Sequence, residues 1–344
     1  MGLHRNLQTV VDWTWQNRAE LMRIAVESTH KPKGLTHLSQ QNRAIGKIYG
    51  YISSENPANP EDRVSRSTMD SFRRMLSNKL QNKLPGVTSI IQSHEWKAMK
   101  SVSDFPNWDE WIGSFIHYRT SQRVQCKERV YINLKEKTRA SAFTTILKKI
   151  WDIPGLYAAK VAAPGARKCD TVVIYCDSSE SRKAVIEVVK KHQRRRQSHF
   201  ASELPRLVAP DGLGIGHGAE PPIAHPKRVT SQSFELVHAK EGQSFGLYRA
   251  ELIFVALERT QFPENMNQDC RRAGVNLSRF QNANPRHGMQ LDIEGEQRKQ
   301  VNAVRQMAQK MEFERRVEEV FRLAGLNAEH PETQADPILS PHAA

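Results

Sequence analysis

The chain predicts an α+β fold: a small β-sheet core flanked by helices, with helical extensions on both sides. Three observations carry this reading. Arg129–Leu134 alternates apolar and polar residues with β-branched and aromatic members, the signature of a half-buried strand. Thr138–Trp151 places Ala142, Phe143, Ile146, Leu147, Ile150 and Trp151 at steps of three and four, which is the period of an amphipathic helix. Beyond the stop at Pro154-Gly155, Leu156–Ala162 and Thr171–Cys176 are two further β-prone runs, joined by a short loop that carries Arg167, Lys168 and Asp170.

The flanking elements follow in chain order. Val10, Val11, Trp13, Trp15, Leu21, Ile24, Ala25 and Val26 predict a helical start that ends at Lys31–Gly34. Leu38–Ile52 and Ser67–Leu84 predict two more helices, the second opened by Ser67 with Asp70 three residues on. Trp96, Phe105, Trp108, Trp111, Phe115 and Tyr118 read as an aromatic-rich helical linker, so residues 1–120 form an all-helical module by this reading.

After the core, Ser179–Gln197 predicts a helix with Val185, Ile186, Val188 and Val189 on its buried side. Its basic end, Lys190–Arg196, suits either a solvated helix C-terminus, which favours cations, or an anionic docking patch. Leu204–Val229 is rich in proline and glycine and reads as a long loop. Leu247–Arg259 and Gln297–Leu323 predict helices, and the segment from Asn327, with three prolines and few apolar residues, is expected to be disordered. The expected organisation is a helical module over 1–120, an α+β domain over 125–260, a helical extension over 261–326 and a tail over 327–344.

Composition narrows the partners. The chain has 344 residues and a formal net charge of +14, with 38% hydrophobic residues. Its pI is near 9.7 and its mean hydropathy is −0.62. That balance suits an anionic partner, whether phosphorylated protein, nucleic acid or acidic membrane. No apolar run approaches the roughly 18 residues of a membrane span, and no signal-peptide core is expected at the N-terminus. Asn6 stands where myristoylation requires Ser or Thr. Cys126, Cys169, Cys176 and Cys270 lack paired metal spacing and read as reduced thiols of a cytosolic protein.

The familiar catalytic motifs are missing. Gly214–Gly218 alternates glycine without completing a dinucleotide fingerprint, and there is no Walker lysine, kinase signature or nucleophile elbow. No metal and no cofactor is expected. What remains is a cationic set, Lys160, Arg167, Lys168 and Arg249, at the ends of the core elements. Arginine holds a phosphate dianion with paired N–H donors, and a lysine can serve as general base. The same residues also fit surface ion pairs with Asp170 and Glu251.

Five short blocks in order extend this reading: Arg129–Leu134, Ala159–Gly165, Cys169–Tyr175, Gly212–Gly216 with Ala219-Glu220, and Gly246–Ile253. Together they resemble the HopA-type effector family, proteins injected by type III secretion from plant-pathogenic bacteria. The resemblance covers roughly residues 125–260. The same domain recurs in lanthipeptide-type peptide tailoring, where it acts as a lyase that eliminates phosphate from phosphoserine or phosphothreonine beside a kinase-like protein. The resemblance thus implies a carbon–oxygen lyase working without metal, a phosphorylated protein or peptide as substrate, and a kinase or secretion chaperone as partner. It also implies a bacterial cytoplasmic protein delivered into a host cell.

A looser likeness to phosphothreonine lyases assigns roles. Lys160 matches the base, Arg167 and Arg249 match the phosphate clamps with Lys168 beside them, and Tyr175 follows the first clamp at a similar distance. The Lys-X-His pair of those enzymes is replaced here by Tyr131 and Asn133, which leaves the acid as Tyr131 or His217. Asn133, Asp170, Tyr175 and Glu220 are the expected supporting residues. A binding module that holds a phosphorylated or acidic partner without chemistry is the alternative, and nucleic-acid binding the weaker third.

Overall fold

The computed structural model describes residues 3–26, 37–53, 66–80, 89–92, 115–119, 125–166, 168–220, 245–261 and 295–334. Among them, seven strands form one antiparallel sheet in the order β1-β2-β4-β5-β3-β7-β6. The strands are β1 (Ser89–Gln92), β2 (Phe115–Arg119), β3 (Glu128–Ile132), β4 (Leu156–Ala162), β5 (Val172–Cys176), β6 (Ala209–Gly212) and β7 (Ile215–Ala219). The helices are α1 (Arg5–Gln16), α2 (Arg18–Val26), α3 (His37–Ile52), α4 (Arg66–Leu80), α5 (Glu136–Ile150), α6 (Ser179–Arg195), α7 (Phe245–Gln261) and α8 (Gly295–Leu323).

Alternation along the strands sorts side chains onto two faces. Val130 and Ile132 of β3 stand opposite Ile174 and Val172 of β5, and opposite His217 and Ile215 of β7. With Ala159 and Val161 they form one core, covered by Phe143, Ile146 and Leu147 of α5 and by Val185 and Val189 of α6. α6 starts with a capping box, Ser178 and Ser181 each accepting from the other's backbone N–H.

The opposite face carries Tyr131 and Val173 into a second core with α1, α2, α3, α7 and α8. α7 is the centre of that layer. Phe245, Tyr248, Leu252, Ile253, Phe254, Val255 and Leu257 are all buried, so the helix is enclosed on nearly every side. It packs on α3 and α8, which join residues from both ends of the chain in one core.

Three expectations are corrected here. Residues 1–120 are not all helical, because Ser89–Gln92 and Phe115–Arg119 are sheet strands; Trp96, Phe105, Trp108 and Trp111 lie outside the described residues. The stretch read as a loop from Leu204 holds the β6–β7 hairpin, turned at Gly214 with φ of 63°. A side chain is excluded there, since a Cβ would lie 2.0 Å from the Ala201 carbonyl oxygen. Finally, residues 327–334 are ordered, since Gln334 bridges back to Leu326 and His4 N–H donates to Ala328 O at 3.0 Å; the rest of the expected tail lies outside the described residues.

At the end of α6, His192 Nε2 and His199 Nδ1 lie 3.2 Å apart beneath Phe200. Burial, then the neighbouring His199, Lys149 and Arg196, pull the His192 pKa down to about 4 from 6.5. Across that window the unfolded chain binds a proton that the folded chain refuses, so stability falls as pH drops. Urea midpoints measured at pH 7 and pH 4.5 should therefore differ, and His192→Gln should reduce the difference. An unchanged slope in the variant would exclude this histidine as the cause.

Candidate functional site

β3 runs through the sheet interior and aims Arg129 and Tyr131 at the α7 side. Arg129 stands opposite Tyr175 and Gly218, and Tyr131 opposite Val173 and Gly216. One strand further out, Lys160 of β4 pairs with Val173, so Tyr131, Val173 and Lys160 form one row across the same face. Gly218 lets α7 come close: a Cβ there would lie 2.5 Å from Phe245 Cε2. The Phe245 ring settles beside Tyr131 at a centroid distance of 5.7 Å. Gly218→Ala should push that ring and the start of α7 outward, costing about 1–3 kcal/mol. A urea midpoint equal to the parent's would rule out this packing.

Arg249 follows Phe245 by one helical turn and is 0% exposed. Its guanidinium carbon sits 3.6 Å above the Phe245 ring centroid. Nε donates to Pro331 O at 2.6 Å and Nη1 to Phe245 O at 3.2 Å. Nη2 is buried and has no hydrogen-bond partner among the described residues. Burial lowers the Arg249 pKa to about 9, against the opposing pull of Tyr131, Tyr248 and Glu220, and the group stays cationic at neutral pH.

Arg129 is the second buried guanidinium. It is gripped by both oxygens of Glu220, Nε on Oε1 and Nη2 on Oε2 at 2.6 Å, and lies 4.9 Å from the Tyr175 ring centroid. Burial works against its charge, but Tyr175, Tyr131 and Glu220 more than offset this and hold its pKa well above the usual arginine value. Glu220 also accepts from Cys126 Sγ at 3.2 Å. The Tyr131 hydroxyl is buried without a hydrogen-bond partner among the described residues. Burial raises the Tyr131 pKa well above that of a free phenol, so it keeps its proton.

Asp170 closes the cluster from the β4–β5 loop. Burial raises its pKa, opposed by Lys160 first, then Lys168 and Arg129, and its Oδ1 is buried without a hydrogen-bond partner among the described residues. Lys168 rests 4.6 Å from the Tyr49 ring centroid of α3. Four cations (Arg129, Lys160, Lys168, Arg249) thus meet two carboxylates (Asp170, Glu220) around this face.

The structure brings Lys160, Tyr131, Lys168, Arg249, Asp170, Tyr175 and Glu220 to one side of the sheet. It does not bring His217 there. His217 stands opposite Val130, on the α5–α6 side, with Nδ1 2.6 Å from Asp211 Oδ2. As the alternative acid to Tyr131, His217 is set off the site by register: Gly216 and Gly218, not His217, face it. Asn133 donates from Nδ2 to Glu203 O at 3.0 Å and from its N–H to Gly214 O at 2.8 Å, so it braces the hairpin. Arg167 lies outside the described residues.

Sequence reasoning passed over Arg129 as a site residue. A charge inside an otherwise β-prone run, in phase with Tyr131, was the available signal that it is buried and paired. It also passed over Pro331, for which no local signal exists. Among the described residues no group of three His, Cys, Asp or Glu side chains is placed to hold a metal ion, and no helix is long and apolar enough to cross a membrane.

No curated protein matches the chain. The effector protein from Pseudomonas syringae pv. syringae strain 61 is similar in structure over 96% of this chain and 98% of its own, with 13% identity and a TM-score of 0.50, a likeness of fold. The effector protein from Pseudomonas syringae pv. tomato strain DC3000 covers 95% of this chain and 100% of its own, with 13% identity and a TM-score of 0.49. A phosphothreonine lyase structure covers 54% of this chain and 97% of its own, with 13% identity and a TM-score of 0.26. Residues 113–281, which contain six of the seven described strands and the helices α5, α6 and α7, match the HopA1 effector protein family.

Proposed function

We propose that this protein recognises phosphoserine or phosphothreonine in a protein or peptide and eliminates the phosphate. One observation carries the reading: among the described residues Arg129, Lys160, Lys168 and Arg249 gather with Asp170 and Glu220 on the α7-facing side, a cationic set suited to a phosphate dianion. Arg249 Nη2 and the Tyr131 hydroxyl are buried donors without an acceptor among the described residues. Arginine and tyrosine are suited to hold and protonate phosphate oxygens in a water-poor setting.

In the proposed step, Lys160 is the base that takes the α-proton of the phosphorylated residue. The electron pair of that C–H bond becomes the Cα=Cβ double bond, and the Cβ–O bond breaks with its electrons leaving on phosphate. Tyr131 gives its proton to the departing oxygen, now that His217 is assigned to the other face. The products are a dehydrated residue and inorganic phosphate.

A second reading rests on a different observation. Arg129 is already held by Glu220, and two Arg249 donors are held by backbone carbonyls. Such commitment favours a module that binds a phosphorylated partner without chemistry. Incubation with phosphothreonine and phosphoserine peptides, followed by mass spectrometry, separates the two. Loss of phosphoric acid supports elimination, retention of an intact but bound phosphopeptide supports the module, and absence of both excludes a phosphate site.

A further inference from the structure

The segment that follows α8 is laid against the site itself. Leu326 and Gln334 bridge its two ends after a turn at Gly325, whose φ is 71°. Between them Pro331 is buried, while Glu329 and His330 are exposed. Three hydrogen bonds dock it: Arg249 Nε to Pro331 O at 2.6 Å, Ala219 N–H to Glu332 O at 2.7 Å, and Gln334 Nε2 to Glu220 O at 2.9 Å. These contacts land on the α7 arginine, the end of β7 and the carboxylate residue that holds Arg129.

We propose that residues 326–334 are a strap that closes the phosphate site and lifts when an extended phosphopeptide takes its place. The inference rests on the phosphate-recognising reading of the same site. With the strap down, Arg249 has no exposed surface, so no ligand reaches it from solvent. The strap holds Arg249 through an uncharged carbonyl, and a phosphate oxygen is the stronger acceptor for the same N–H donor. The strap is also a main chain. Its departure leaves Arg249 Nε for the phosphate and Ala219 N–H for the ligand's own carbonyl, so a phosphopeptide gains a bond that inorganic phosphate cannot make.

The test compares the intact chain, the full-length Gln334→Ala variant and a chain ending at Ala328, which keeps the His4–Ala328 bond. A fluorescein-labelled phosphothreonine peptide is titrated by anisotropy. A closed state raises the apparent Kd to the intrinsic value divided by the open fraction, so the shortened chain should bind about tenfold or more tightly, with Gln334→Ala intermediate. A synthetic peptide of residues 329–334 should compete on the shortened chain. Measurable but equal affinity for intact and shortened chains overturns the strap and leaves the phosphate reading in place; no binding by either overturns both. Should the shortened chain fail to fold, hydrogen exchange on the intact chain decides. Phosphopeptide must accelerate exchange of the amides of Glu329 and Thr333, and unchanged or slower exchange overturns the strap.

Discussion

Replacing Lys160 by alanine is expected to lower the elimination rate on phosphothreonine peptides by about 10²–10⁴-fold, the range a positioned general base contributes. Affinity should stay close to the parent's, because the proposed step gives the phosphate to the arginines and the proton to the lysine. Arg249→Ala should behave in the opposite sense. Loss of a hydrogen bond to a charged group costs about 1.5–3 kcal/mol, so binding should weaken before the chemical step is affected. The two variants are compared by single-turnover rate and by anisotropy. Equal loss of binding in both would show that Lys160 is a clamp and not a base. Unchanged turnover in Lys160→Ala would remove it from the mechanism.

Glu220→Ala should produce the largest loss of stability. Arg129 is 4% exposed, and Glu220 takes both its Nε and its Nη2. Removing the carboxylate leaves a buried guanidinium without its counter-charge, which costs about 3–5 kcal/mol. Thermal unfolding measures it. The paired change Arg129→Met with Glu220→Leu should recover most of that loss, since two apolar side chains leave no orphaned charge behind. If Glu220→Ala alone melts with the parent, Arg129 has another counter-ion and the pair is not what holds this face together.

The core elements were legible because their signals are local. Leu156–Ala162 has the predicted bounds, and Thr171–Cys176 differs from β5 by one residue, since β-prone runs between breakers leave little choice. The helices over 136–150, 179–195 and 245–261 follow equally from apolar spacing. The misses have a common cause. Phe115 and Tyr118, three residues apart, continue the spacing of Trp108 and Trp111, so the pattern alone predicts one more turn of helix where the strand lies. Ile215–Ala219 has two glycines in five residues, and it is a strand because β3 pairs with it and Phe245 needs the room. Neither demand is visible in the segment itself.

The site divides along the same line. Two-residue alternation placed Tyr131 on a face with Arg129, and strand pairing brought Lys160 into its row. The side of His217 depends on its register against Val130, and a shift of one residue would reverse it. The segment past Asn327 has the composition of a disordered tail, yet its hydrogen bonds go to Arg249, Ala219 and Glu220, far away in the chain. Composition does not register partners of that kind.

The strand order has a kinetic consequence. β3 lies between β5 and β7, and its neighbour β5 pairs in turn with β4. The site on this sheet therefore draws on Tyr49, Arg129, Lys160, Asp170, Glu220, Arg249 and Pro331, spread over most of the chain. Long loops must close before any of these groups meet, and such non-local pairing slows folding. No fragment or early intermediate can assemble the cluster. After dilution from denaturant, helical signal should return first, and phosphate recognition should return only with the last and slowest phase.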